Sequence, residues 1–303
     1  MKSFPSSWYF IASSNEITRN SIFRLEIFEN SLVFFRNNKN VVVALDSRCS
    51  HLGADLGNGF LDKDNLVCPL HHWKYNSMGK CTYTTASNVE HFSQKTFPVV
   101  EEFGSVFVFL GDEFFSFPEF VFKKDFVYEA LPEVTLNTTW ETLGANGYDT
   151  LHLSVVHKRG LLEKPICSFP EKHIFKMQTK AFVEGNEFSD KVIKFLSKNK
   201  ISAEITSFGG VFITLESTLN KKKSLLLVFL RPEKENVKVY AIAGIRKKNK
   251  FLDYFRKKIS SFLFQKFLFK DIIPLQNMKL RRENLALDPV LKLYDEYLKN
   301  LGF

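Results

Sequence analysis

The feature that most constrains this chain is a pair of short Cys/His motifs. Cys49-Ser-His51 is followed, after the sixteen residues 52–67, by Cys68-Pro-Leu-His71. Two soft thiolates and two imidazoles carried on two separate turns suit a tetrahedral zinc ion. They suit equally a [2Fe–2S] centre in which one iron takes both cysteines and the other both histidines. Gly53, Gly57 and Gly59 let the first turn close tightly and Pro69 stiffens the second, surroundings that favour the iron–sulfur reading. Trp73, just past the second pair, could shield such a centre from water, although packing alone would explain it.

A chain of 303 residues predicts about two domains. Its 45% hydrophobic and 25% charged residues exclude wholesale disorder. No apolar run reaches the ~18 residues of a membrane span. The N-terminus shows no apolar stretch of signal-peptide length, and four cysteines are too few for a disulfide scaffold. A reducing, cytoplasmic location is expected. The net charge of +9 comes from scattered short runs, such as Lys221–Lys223, Arg246–Lys250 and Lys279–Arg282, without a nucleic-acid-binding motif. They read as a solvated face, or as a docking surface for an acidic protein partner.

The pattern along the chain is α+β in two domains, residues 1–120 and 121–303. Ile22–Ile27, Ser31–Phe35, Val41–Leu45 and Ser105–Leu110 read as strands of the first, with a linker from Asp112 to about Lys124. In the second, a helical stretch at Gly144–His157 precedes strands near Ala203–Phe208, Val211–Ser217, Ser224–Leu230 and Val237–Ile245. The last two are joined by a turn at Pro232–Asn236. Phe251, Phe255, Ile259, Phe262, Leu263 and Phe267 recur at helical spacing with lysines and arginines between them. Such a helix packs on its own domain or lies on a membrane surface.

That helical stretch at 144–157 holds a second constellation, Asn146, Asp149, His152 and His157. At ~100° per residue Asp149 and His152 share a helix face, whereas His152 and His157 stand ~140° apart. Sharing a metal would therefore require a helix break or π-type distortion between the histidines.

The first motif, through Trp73, resembles the Rieske domains of non-haem iron oxygenases, and Trp140–His157 resembles the iron segment of the same family. The respiratory Rieske proteins carry an extra cysteine in each loop, where this chain has Ala54 and Leu70. Those oxygenases usually have glycine where His72 stands, so His71 is the expected ligand and His72 an accessory or surface residue.

The resemblance implies a β-rich Rieske [2Fe–2S] domain plus a catalytic domain of antiparallel sheet flanked by helices. It implies cluster ligands Cys49, His51, Cys68 and His71, and a mononuclear Fe(II) held by His152, His157 and one late carboxylate. Asp271 matches that carboxylate best, ahead of Asp253 and Asp288. Asp149 would bridge to the Rieske histidine of a neighbouring subunit in a homotrimer, and Asn146 would lie near the iron. O₂ would be the cosubstrate, with electrons from NAD(P)H arriving through a separate reductase and possibly a ferredoxin, since no dinucleotide-binding fingerprint occurs here.

The expected activity is hydroxylation or oxidative demethylation of a small, apolar or ring-containing substrate. The first loop and the Asn-Gly-Tyr-Asp segment lean towards the steroid- and sterol-acting branch. A Rieske electron carrier without oxygenase activity and a zinc-stabilised binding protein are the competing readings.

Overall fold

The computed structural model describes residues 4–84, 91–119 and 123–303, in two compact units, Trp8–Asp112 and 1–7 with 113–303. The expected boundary at 120/121 falls on residues outside those described.

The smaller unit is built of short antiparallel strands in three sheets. β1 (Ser7–Ser13), β11 (Ser105–Leu110) and β10 (Val99–Glu102) form one, in that order. A second runs β2 (Phe23–Ile27), β3 (Asn30–Arg36), β4 (Val42–Asp46), β9 (Thr96–Phe97). The third runs β5 (Phe60–Asp62), β6 (Asn65–Val67), β7 (Lys74–Tyr75), β8 (Cys81–Tyr83). β3 and β4 are covered on both faces, which explains why they read as unbroken apolar runs rather than alternating ones. Val33, Phe35, Val43 and Leu45 from these strands pack on Leu56, Leu66, Trp73 and Tyr75. Cys49 and Cys68 sit inside this core.

The larger unit is dominated by one antiparallel sheet. Its main path is β12 (Phe126–Ala130), β20 (Asn236–Arg246), β19 (Lys222–Glu233), β18 (Phe212–Leu219), β17 (Ile201–Phe208), β16 (Ile174–Val183) and β14 (Arg159–Leu161). β13 (Val134–Leu136) adds to β20, and β15 (Ile166–Glu171) to β16. β17 to β20 fall on the four expected strands, whereas β16, ten residues long, falls on none of them. The turn between β19 and β20 is tighter than Pro232–Asn236, because Glu233 already pairs with Asn236 and only Lys234 and Glu235 remain outside the ladder.

Five helices complete the unit: α1 (Trp140–Tyr148), α2 (Thr150–Val155), α3 (Phe188–Ser197), α4 (Lys250–Leu275) and α5 (Pro289–Asn300). Two findings differ from expectation. The stretch at 144–157 is not one helix: Asp149 is extended (φ −74°, ψ 105°) and ends α1 while starting α2. Its carboxylate accepts the His152 backbone N–H at 2.9 Å, and that competition with the helix ladder produces the break. The apolar residues of α4 do not form a single buried face either. Leu263 and Phe267 turn inward, whereas Phe251, Phe255 and Ile259 are exposed.

Tyr297 of α5 is fully buried, and its hydroxyl accepts from the Gly210 N–H at 2.9 Å and donates to the His173 carbonyl at 3.0 Å. Tyr297→Phe leaves both groups without this partner and is expected to cost about 1–3 kcal/mol. A lowered urea midpoint at unchanged slope reports it; an unmoved midpoint rejects this role for the hydroxyl.

Candidate functional site

In the smaller unit the two Cys/His turns meet, the second of them joining β6 to β7 of the third sheet. The first closes through Gly53, at φ +76°, and through Gly59, where a Cβ would meet the Val67 carbonyl at 2.1 Å. Gln94 ties this loop down. Its Oε1 accepts from the Ser50 N–H and its Nε2 donates to the carbonyls of Asp46 and Arg48.

The thiols of Cys49 and Cys68 are buried at 2% and 1% exposure, while His51 is half-buried and His71 exposed. The two imidazole rings stand 4.9 Å apart, and Trp73 stacks flat on His51 at 4.2 Å. Two buried sulfurs and two imidazoles nearer the solvent are the polarity that a histidine- and cysteine-ligated cluster requires. Burial pushes the Cys68 thiol up against the N–H groups of Leu70 and His71, and the Cys49 sulfur beside it adds to the rise. A bound cation offsets that cost by taking both sulfurs as thiolates. The Tyr75 hydroxyl contacts the Cys49 sulfur at 3.1 Å and the Ser50 hydroxyl at 3.0 Å.

In the larger unit His152 sits in α2, His157 on the turn beyond it, and Asp271 in the penultimate turn of α4. His152 Nε2 and His157 Nε2 lie 2.8 and 3.0 Å from Asp271 Oδ1 and 3.1 Å from each other. Ligands at ~2.1 Å on adjacent octahedral corners stand ~3.0 Å apart, so this triangle has the size of one face of a metal's coordination shell. Without a cation the arrangement is frustrated. Two Nε2–H groups donating to one oxygen would bring their hydrogens together, whereas a cation accepts all three lone pairs. Burial pushes the Asp271 carboxyl up, but hydrogen bonds from both histidines outweigh it and hold it below the usual carboxylate range. Among the described residues these three form the group able to hold a metal ion.

Asp253 and Asp288 are employed elsewhere. Asp253 accepts from the Lys248 N–H and from Arg256 at the start of α4, and Asp288 caps α5. The helix ends at Val155, so His157 leaves the helical path and turns back beside His152 without a π-type distortion. The far end of α4 is fastened just ahead of α1. The Asn277 N–H donates to the Asn137 carbonyl and the Thr138 hydroxyl to the Met278 carbonyl, both at 2.8 Å. His157 is held by Arg159, which donates to its carbonyl at 2.8 Å and to the buried Asp190 of α3 at 2.9 Å.

Asp149 engages the His152 backbone, as described above, and Asn146 lines the same cavity as the triad. That cavity has a volume of about 580 Å³. It lies between the sheet and α4, with Ile205, Leu215, Leu226 and Val228 on one side and Leu263 and Phe264 on the other. Gln94, Tyr75 and the Arg159–Asp190 pair were not legible as site residues, because each acts through packing across distant segments. Asp149, however, announces its cap in sequence, as an aspartate three residues ahead of the N–H it receives.

Residues 7–98 match the Rieske [2Fe-2S] domain family. The chain is 26% identical over 177 residues to cholesterol 7-desaturase nvd of Bombyx mori, covering 56% of this chain and 39% of that protein. It is 33% identical over 79 residues to the oxygenase component of 3-ketosteroid-9-alpha-monooxygenase of Rhodococcus rhodochrous, covering 26% of this chain and 20% of that protein. It superposes on dicamba monooxygenase bound to dicamba with a TM-score of 0.71 at 17% identity, over 98% of this chain and 97% of the other. Residues 7–98 therefore form a Rieske [2Fe-2S] domain, and the chain as a whole shares the fold of dicamba monooxygenase. The cofactors are a Rieske [2Fe–2S] cluster on the matched domain and a mononuclear non-haem iron, whose candidate site is His152, His157 and Asp271. The chain spans half or less of the length of the curated relatives it matches first.

The structure also accounts for His72 where the family usually has glycine. His72 takes the left-handed conformation, φ +57°, at a cost of about 1–2 kcal/mol for a side-chain-bearing residue. Its ring packs edge-on against Phe60. His72→Gly relieves the strain but adds about 0.5–1 kcal/mol of chain entropy to the unfolded state. The expected outcome is stability unchanged within about 1 kcal/mol and an intact visible Rieske spectrum, with His71→Gly losing that spectrum. The reverse pattern would make His72 the ligand.

Proposed function

We propose that this chain is the oxygenase component of a Rieske-type enzyme. It would take electrons from a separate NAD(P)H-dependent reductase, directly or through a ferredoxin, and use O₂ to hydroxylate or oxidatively demethylate a small apolar, ring-containing substrate. The observation that carries this reading is the His152–His157–Asp271 triangle set in the wall of an apolar cavity. Fe(II) bound by three side chains supplies open positions for O₂ activation.

The chain's own residues do the rest. Cys49 and Cys68 would hold the inner iron of the cluster, and His51 and His71 the outer one. Within the cavity, the aliphatic walls exclude water and hold a flat apolar molecule against the triad, beside Asn146. In a homotrimer Asp149 would carry the link from His152 to the partner subunit's His71. The curated relatives include desaturases named for cholesterol and a monooxygenase named for 3-ketosteroids, which supports a rigid polycyclic substrate.

EPR of anaerobically purified, dithionite-reduced protein exposed to nitric oxide tests the reading. Wild type is expected to give both a Rieske signal and a high-spin iron–nitrosyl signal. His157→Ala is expected to keep the first and lose the second, together with turnover. A Rieske signal alone, after Fe(II) has been supplied to the wild type, would leave an electron carrier. A second expectation concerns Tyr75, whose hydroxyl is placed to donate to the Cys49 sulfur. Such bonds raise a cluster's potential by stabilising its reduced form. Tyr75→Phe is therefore expected to lower the midpoint potential with the cluster retained, and an unmoved potential would reject that donation.

A further inference from the structure

A helix laid on a sheet ordinarily turns its polar side outward, and α4 does not. Its inner residues Leu263, Phe264 and Leu268 line the cavity. On the outer side, Phe251, Phe255, Ile259, Phe262, Phe269 and Ile273 fall within an arc of ~80° at ~100° per residue. Their exposures run from 41% for Phe262 to 85% for Ile273. α3, joined to α4 by a Lys270–Glu187 ion pair at 3.0 Å, adds Phe188 and Phe195 at 73% and 86% exposure. Eight exposed large apolar side chains on two ion-paired helices are more than scattered surface residues and mark a contact surface.

The charges around it are basic. Lys258 and Lys266 lie within or beside the arc, and Lys247, Lys248 and Lys250 precede it. The acids nearby are already engaged: Glu129 with Lys257 and Lys258, Asp253 with Arg256, Glu187 with Lys270. No described helix is long and apolar enough to cross a membrane.

We propose that α4 lays this outer face on an anionic lipid surface, its phenylalanines entering the interface and its lysines meeting the headgroups. A contact of this face with the same face of a second copy fits less well, because it would set one basic stripe against another. The placement gives the cavity a lipid-side entrance. Five of the seven exposed members of the cavity lining, Lys222, Lys223, Lys248, Leu252 and Ile259, gather beside the N-terminal half of α4 and mark its mouth. An apolar molecule dissolved in the bilayer would reach the cavity without crossing bulk water.

Co-sedimentation of the iron-loaded protein with phosphatidylcholine–phosphatidylglycerol vesicles, and with phosphatidylcholine alone, tests the proposal. Binding to the anionic vesicles that weakens with added salt is expected. Phe255→Ser/Phe262→Ser is expected to weaken it roughly tenfold or more, and Lys250→Glu/Lys266→Glu also to weaken it, with the visible cluster spectrum retained as evidence of folding. His157→Ala is expected to bind as wild type does, so this result stands apart from the oxygenase reading. Absence of vesicle binding overturns the proposal. So does an oligomer, sized by light scattering, that Phe255→Ser/Phe262→Ser dissociates while vesicle binding is absent, since a second copy would then occupy the face.

Discussion

Three ligand atoms about 3 Å apart, two of them carried 119 and 114 residues before the third, are the constraint on which the larger unit depends. Asp271 is a carboxylate buried among apolar side chains, and such a group is costly unless opposite charge or hydrogen bonds meet it. Both histidines meet it here, and a cation would do so more completely. The fold brings them together by fastening at both ends. The residues following α4 bond to Asn137 and Thr138, just ahead of α1, and the Arg159–Asp190 pair locks the His157 turn to α3. The metal site therefore does not rest on α2, which is six residues long and has no buried residue of its own.

The two candidate centres are built on opposite principles. The Cys/His turns are local: each carries two donors within four residues, and glycine geometry and the Gln94 hydrogen bonds shape the loop. The iron triangle is non-local, and its third member contributes nothing until the sheet has formed and α4 has crossed it. An apolar cavity between sheet and helix is the by-product of that crossing. Its apolar walls come from the inward positions of strands whose neighbours in sequence point the other way.

This difference governs what could be read from the chain. The Cys49–His71 spacing and the alternating strands are properties of short windows, and Ser105–Leu110 falls on an observed strand with the same limits. Asp271 had only its resemblance to a late family carboxylate to recommend it over Asp253, since both are aspartates of the same helical stretch. Distance and burial separate them: one meets two imidazoles, the other Lys248 and Arg256. The break at Asp149 escaped a reading based on apolar spacing because that spacing ignores side chains that bond their own backbone.

The long helix shows the same limit from the other side. Periodicity detects a stripe of apolar residues, but it presumes that the stripe faces inward and that the remainder is polar. In α4 Phe and Leu occur on both sides, so the most regular set in the sequence mixes outward Phe251, Phe255 and Ile259 with inward Leu263 and Phe267. The inner set is demanded by the cavity, whose wall must be apolar to hold an apolar molecule. Nothing inside the unit demands the outer set, and leaving it in water carries a free-energy cost with no compensating contact. The two sets share one helix because both serve apolar contact, inward with the contents of the cavity and outward with whatever surface the helix meets. A single element therefore carries the metal ligand, the cavity wall and the exposed aromatic face.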